Sequence, residues 1–327
     1  MRYRLLPLFF MAVMFFVSCG KNVELSKEKF TAVQQGEPST MSLTTMLQYR
    51  PFFIRWEKGN LVEKNALSPK PSWNRFMAMN PEGFVIRKKS PEGITQIPAV
   101  YIENIEISPN RSLAAFTIKL GSSLNGSVGI ADIRQKKVIF NEEVEDRPAQ
   151  PPARMSIAIR DAFFKPVFSD DSRYLAYTRY NYLNTRHIRI RNITDGTFNE
   201  IDNAMLPQMA GGNIYYMAYK KGNPALMLMK RGITGGDAVK IGDVTENMVN
   251  FMRLNNSVYL ATWEGFYEVA NGSLVKKFDF EDIKKYGEQA EITAAYLSSQ
   301  EGLNYLFLTV KHKKDGDYKW RVYGRLF

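Results

Sequence analysis

Residues 165–201 (KPVFSDDSRYLAYTRYNYLNTRHIRIRNITDGTFNEI) constrain the fold more than any other stretch of the chain. They open with a Ser169-Asp170-Asp171-Ser172 loop, whose side chains hydrogen-bond their own backbone and favour a tight turn. The apolar run 174–177 suits a strand buried on both faces. After a polar turn, residues 187–192 alternate as a half-buried strand does, and Asp195-Gly196 marks another turn. A unit of this kind cannot bury its apolar faces alone, so it requires copies of itself as neighbours.

The copies are present. Upstream, IEISPNRSLAAF at 105–116 parallels VFSDDSRYLAY at 167–177, and a strand at 128–133 takes the place of 187–193. Ser108 and Ser169 are 61 residues apart because a Pro-rich insertion, 142–161, intervenes with Pro148, Pro151 and Pro152. Downstream, strand starts at 174, 214, 258 and 305 are 40, 44 and 47 residues apart, the range of a four-stranded propeller blade. Second strands follow at 225–230, 265–269 and 319–323. Residues 49–99 hold strand candidates at 52–56, 75–79 and 83–87, room for one more blade. The expected fold is an all-β propeller of about six four-stranded blades, within a range of five to seven. Residues 280–286 (FEDIKKY) are the best short helix, placed between blades.

The units around Ser108-Pro109-Asn110 and Ser169-Asp170-Asp171 resemble the repeat of the TolB-type β-propeller, a Ser-Pro-Asp-Gly-like turn followed by a Leu-Ala-Phe-like strand. Arg111 and Ser172 stand where that repeat has glycine, and Asp170 stands where it has proline. The resemblance covers residues 102–201 and implies the fold. Within such families the propeller serves as a periplasmic protein-binding module, a gating domain of peptidases or a polysaccharide lyase.

The chain begins with Arg2 and Arg4, an apolar run at 5–17, and then Ser18-Cys19-Gly20. That pattern is a secretory signal, too short for a membrane span. Residues 16–19 (FVSC) resemble a bacterial lipobox, which implies cleavage before Cys19 and acylation of its thiol. Cys19 is the only cysteine, so the folded part holds together without an intramolecular disulfide. The expected division is a signal peptide at 1–18, an acylated cysteine and flexible tether at 19–45, and the propeller at 46–327. Gly20 stands where an Asp favours inner-membrane retention in lipoproteins of this kind, which by resemblance points to the outer membrane.

Net charge is +11 over 327 residues, and +9 without the first 18, which carry two Arg and no acid. A basic surface suits anionic partners such as headgroups or acidic polysaccharide. Export, and the lack of a clustered basic-aromatic patch, argue against nucleic acid.

Catalytic patterns are sparse. Of the two histidines, His187 begins a strand and His312 falls in the turn read at 311–317 (KHKKDGD); no Gly-x-Ser-x-Gly elbow is present. Two distant histidines make a zinc site improbable. The acidic turns Ser169-Asp170-Asp171-Ser172 and Asp315-Gly316-Asp317 lack the spacing of a calcium loop, and Asp-Gly is above all a hairpin signal. The carboxylates of 142–146 (EEVED) read as a solvated charge run leading into the insertion, and Gly211-Gly212 and Gly235-Gly236 read as turns. No cofactor or metal is called for.

Two segments suit recognition: the insertion at 142–161, and the aromatic-basic turn at 179–186 (RYNYLNTR). Exposed Tyr and Arg are favoured contact residues, so Tyr180, Tyr182 and Arg186 are the candidate partner-binding residues. The expectation is a membrane-anchored envelope lipoprotein whose propeller binds a protein or an anionic envelope polymer without catalysis. The alternative is a glycan- or peptide-hydrolysing enzyme with acidic residues in the propeller funnel.

Overall fold

The apolar runs form strands, and nearly every strand pairs antiparallel with its chain neighbour. In the computed structural model of the chain, the described residues are 25–32, 53–57, 60–64, 85–90, 93–98, 101–119, 126–135, 137–145, 165–180, 186–219, 225–244, 248–284, 290–300, 302–314 and 317–327. First come β1 (Thr31–Ala32), a two-stranded sheet of β2 (Phe53–Glu57) and β3 (Asn60–Lys64), and a hairpin of β4 (Val85–Ser90) and β5 (Gly93–Pro98). The first four-stranded blade is β6 (Tyr101–Ile107), β7 (Leu113–Lys119), β8 (Gly126–Asp132) and β9 (Lys137–Asn141). A short β10 (Glu143–Glu145) then joins β4 in parallel. The second blade is β11 (Val167–Phe168), β12 (Tyr174–Tyr180), β13 (Arg186–Asn192) and β14 (Phe198–Asp202). The third is β15 (Ala204–Ala210), β16 (Asn213–Tyr219), β17 (Leu226–Gly232) and β18 (Gly235–Val244). The fourth is β19 (Met248–Leu254), β20 (Ser257–Thr262), β21 (Gly265–Ala270) and β22 (Ser273–Asp279). A one-turn helix, α1 (Glu281–Lys284), leads to the fifth blade of β23 (Ala290–Gln300), β24 (Leu303–Lys314) and β25 (Asp317–Leu326).

The first strand of each blade packs on the next blade: β6 on β11, β15 on β11, β12 and β13, β19 on β15, and β23 on β19. β2 touches β23, and β4 touches β7 and β8, so the N-terminal sheets fall between the fifth blade and the first. Five complete four-stranded blades arranged in this way make a β-propeller, as the repeat spacing requires. The apolar clusters lie between blades. Val128, Ile130, Phe168, Leu175 and Tyr177 join the first and second, and Ile188, Ile190, Met209 and Ile214 join the second and third. Met217, Leu228, Phe251 and Leu260 join the third and fourth, and Val249, Phe266, Ile292 and Leu308 join the fourth and fifth. Register shifts recur in β6, β15, β19 and β23, the innermost strand of four blades. Bulges bend a strand locally, as the narrow end of a blade requires.

The two best-matched repeats share one turn. Ser108 Oγ accepts the Leu113 amide at 2.9 Å and donates to Asn110 Oδ1, and Ser169 Oγ does the same with Tyr174 at 2.9 Å and Asp171 Oδ1. Arg111 and Ser172, in the glycine position of the repeat, both adopt positive φ, 58° and 61°. The backbone thus keeps the left-handed conformation although the glycine is gone.

The N-terminal segment departs from expectation. Residues 25–32, assigned by sequence to a flexible tether, complete the fifth blade, whose order is β1-β25-β24-β23. Leu25 packs with Tyr305, Phe307 and Val322, and Phe30 sits edge-on to Phe278 and Phe280. Arg325 donates from Nε and Nη2 to the Lys27 carbonyl. Two apolar side chains spaced along a polar segment are too few to mark a strand by composition, yet the edge of β25 supplies the missing pairing. Residues 1–18, Cys19 and the strand candidate at 75–79 lie outside the described residues. The helix expected at 280–286 is present as α1 and lies between blades, as read.

Candidate functional site

Among the described residues, the second blade carries a cluster of linked ionisable groups at its junction with the first. Along β12, Leu175, Tyr177 and Arg179 face the first blade, while Ala176 and Thr178 face the third, because side chains alternate across a strand. The register extends this into three cross-strand rungs: Leu175-Arg191-Phe198, Tyr177-Arg189-Glu200 and Arg179-His187-Asp202. Onto them comes Glu142, where the chain leaves β9 of the first blade.

Glu142 is 4% exposed, and Oε1 accepts from the Tyr177 hydroxyl at 2.8 Å, Arg189 Nη1 at 2.9 Å and Arg179 Nη1 at 3.2 Å. Arg189 also grips Glu200 Oε1 through Nη2 at 2.6 Å and Nε at 2.9 Å, and its guanidinium lies 4.0 Å above the Phe198 ring. His187 Nε2 is 3.3 Å from the same Glu200 oxygen. Arg191 lies 3.9 Å above the ring of Phe140 in β9, a further link to the first blade. Burial lifts the Glu142 carboxyl above its usual range although Arg179, Arg189 and the Tyr177 hydroxyl pull it down. Burial, with the Glu142 charge, pushes the Tyr177 phenol well up. Burial lowers His187, the Arg179 and Arg189 charges adding to it and Glu200 opposing. Glu200 is held below its usual range by Arg189 and His187, which outweigh its burial.

The solvated charge run expected at 142–146 therefore begins with a buried residue. The physical reason is the facing blade, which supplies two guanidinium groups and a hydroxyl that sequence separation hides. A signal was present: Tyr177 occupies the position of Phe116, and a hydroxyl inside a doubly buried strand needs a partner. Phe116 itself lies across Gly129, where a Cβ would collide with its ring.

The candidate residues Tyr180 and Arg186 are a cross-strand pair that closes β12 against β13; the turn that contains Tyr182 lies outside the described residues. Arg186 stands on the side of the third blade. Its amide donates to the Tyr219 hydroxyl at 2.9 Å, its Nη1 is 3.5 Å from Met205 Sδ, and its guanidinium lies 5.4 Å from the Tyr219 ring centre. Because His187 pairs with Asp202, this end of the blade also carries the passage from β14 to β15, and Glu142 reaches the same end at Arg179.

The opposite end is tied by the repeat turns. Asp170 accepts the Gly211 amide at 2.7 Å and Arg253 Nη1 at 3.0 Å, and Arg253 also donates to the carbonyls of Phe168 and Met209. One side chain of the fourth blade thus binds the second and third. The acidic turn weighed for calcium is occupied by these bonds, and no cluster of three metal-ligating side chains occurs among the described residues. Gly211-Gly212 forms the turn expected, both residues at positive φ, whereas Gly235-Gly236 opens β18 after the turn. His312, placed by sequence in a turn, is inside β24, where Nε2 lies 3.2 Å from the Tyr323 hydroxyl. The strand runs on to Lys314, which pairs with Asp317 around the Asp-Gly hairpin signal.

No protein-family model matches the chain, and no curated protein does. Among solved structures, the chain is similar to TolB from Acinetobacter baumannii, with TM-score 0.38 and 10% identity over 72% of this chain and 59% of that one. The Dos1 propeller gives TM-score 0.42 and 9% identity over 83% and 61%. The β-propeller domain of the Trilobed protease from Pyrococcus furiosus gives 0.34 and 12% over 48% and 56%. The chain spans less than two thirds of each of these structures.

Proposed function

We propose that the chain is a lipid-anchored β-propeller of the bacterial envelope that binds a protein or an anionic envelope polymer and catalyses no reaction. The observation that carries this reading is the use made of the carboxylates at the candidate site. Glu142 is held by Tyr177, Arg179 and Arg189, and Glu200 by Arg189 and His187. A general acid or nucleophile must present its oxygen to a substrate, whereas Glu142 Oε1 is engaged in joining two blades and Glu200 Oε1 in holding Arg189 and His187 within the second. The anchor rests on the leader and on Cys19 after Ser18. Recognition is assigned to the end of the second blade that carries Tyr180, Tyr182 and Arg186, on a scaffold stiffened by the ion pairs behind it.

The test is purification of the full-length protein from detergent-solubilised membranes, unaltered and with Tyr180, Tyr182 and Arg186 together changed to Ala. A partner retained in fixed stoichiometry by the first, and lost from a triple variant of unchanged circular dichroism, supports the reading. Equal retention by both removes these three residues from it. Hydrolysis of an envelope glycan or peptide by the purified protein overturns the non-catalytic assignment.

A further inference from the structure

We infer that the fifth blade is the membrane-facing side of the propeller, held directly against the lipid surface. The inference rests on the lipid-anchor reading of Cys19 and adds an orientation to it.

The length of chain between the anchor and the fold sets the geometry. Leu25 is already docked, 7% exposed against Tyr305, Phe307 and Val322. From there the segment stays bound. The Ser26 carbonyl accepts the Leu326 amide at 3.0 Å, the Lys27 carbonyl accepts two bonds from Arg325, and Thr31 and Ala32 pair with Gly324 and Tyr323. Phe30, 2% exposed, is wedged at the junction of the fourth and fifth blades. Only residues 20–24 remain between Cys19 and Leu25. Six residue steps, even fully extended, span at most about 20 Å. A tether running to residue 45 would let the propeller turn freely above the bilayer; one that stops at residue 24 does not. Lys27 and Lys29 are exposed on the docked segment, where they meet headgroups. The third and fourth blades separate the fifth from the second, so the second blade, with Arg186 and the Glu142 junction, points away from the membrane.

The test uses the acylated protein in vesicles that contain a fluorescent acceptor lipid. Cys19 is consumed by acylation, so a single introduced cysteine takes the donor label: Glu28→Cys on the docked segment, or Asn199→Cys on the outer strand of the second blade. Energy transfer several-fold higher from position 28 than from position 199 is expected. A Gly/Ser spacer of about 20 residues inserted after Gly20, with a root-mean-square length of about 25 Å, should largely remove that difference. Equal transfer from both positions without the spacer, in protein whose intact mass shows an acylated Cys19, overturns the orientation and leaves the anchor standing. An intact mass with unmodified Cys19, and protein that does not float with the vesicles, overturns both.

Discussion

The Tyr177 hydroxyl donates a 2.8 Å hydrogen bond to Glu142 Oε1 from one blade to the next, and two guanidinium groups converge on the same oxygen. Removing the carboxylate takes from Arg179 and Arg189 the buried acceptor that they share across the two blades. Breaking a buried pair from one side is far costlier than losing a surface pair. Glu142→Ala should lower the free energy of unfolding by about 3 kcal/mol or more, against about 1 kcal/mol for Tyr177→Phe, which removes one hydrogen bond. Urea denaturation of the two variants checks the ranking; similar small losses would mean that the junction is solvated.

Both histidines make stability depend on pH in one direction. Burial holds His187 and His312 below the usual histidine range, so the folded chain resists protons that the unfolded chain accepts. Their contribution is complete above about pH 6.5 and is lost as pH falls through that value towards their folded pKa values. Glu142 acts with the opposite sign: its raised pKa favours the fold below about pH 4.5 and that contribution fades as pH rises. Urea midpoints between pH 7.5 and 5.5 should fall, and His187→Asn should flatten the slope. An unchanged slope would show that His187 does not titrate differently on folding.

Arg111 and Ser172 share a left-handed backbone but not a role. Arg111 is exposed and no bond of its side chain holds the turn, so Arg111→Gly should stabilise by about 0.5–1 kcal/mol. The Ser172 hydroxyl accepts the Asn110 amide of the first blade at 3.1 Å, so Ser172→Gly relieves the same strain and loses that tie. Its net effect should lie near zero. Thermal midpoints of the pair decide, and equal gains would deny Ser172 any bridging role.

Arg253, on the fourth blade, reaches the second and the third as well. Arg253→Met keeps much of the apolar stem and removes the bonds to Phe168, Asp170 and Met209, which should cost about 2–3 kcal/mol. Asp170→Asn should cost less, because the Gly211 amide keeps an oxygen to bind. A double-mutant cycle measures the coupling, expected at about 1 kcal/mol for a half-exposed pair.

The blade series was legible because its causes are local: turn chemistry at Ser108 and Ser169, and apolar strands such as 174–177, recur at fixed spacing. Asn271-Gly272, between β21 and β22, is a turn with the same local cause, and both residues adopt positive φ. What stayed hidden depends on pairing across the chain. Glu142 looks solvated until Arg179 and Arg189 are placed beside it, and residues 25–32 look like a tether until β25 offers an unpaired edge. His312 was misplaced because the Lys and Asp around it suggest a turn, whereas the strands continue past it to Lys314.

The most direct test of the central claim is the native mass of the protein taken from solubilised membranes. The account predicts an acylated Cys19 and a second component in fixed ratio, a protein or an anionic polymer. A lone chain with a free Cys19 thiol would contradict it.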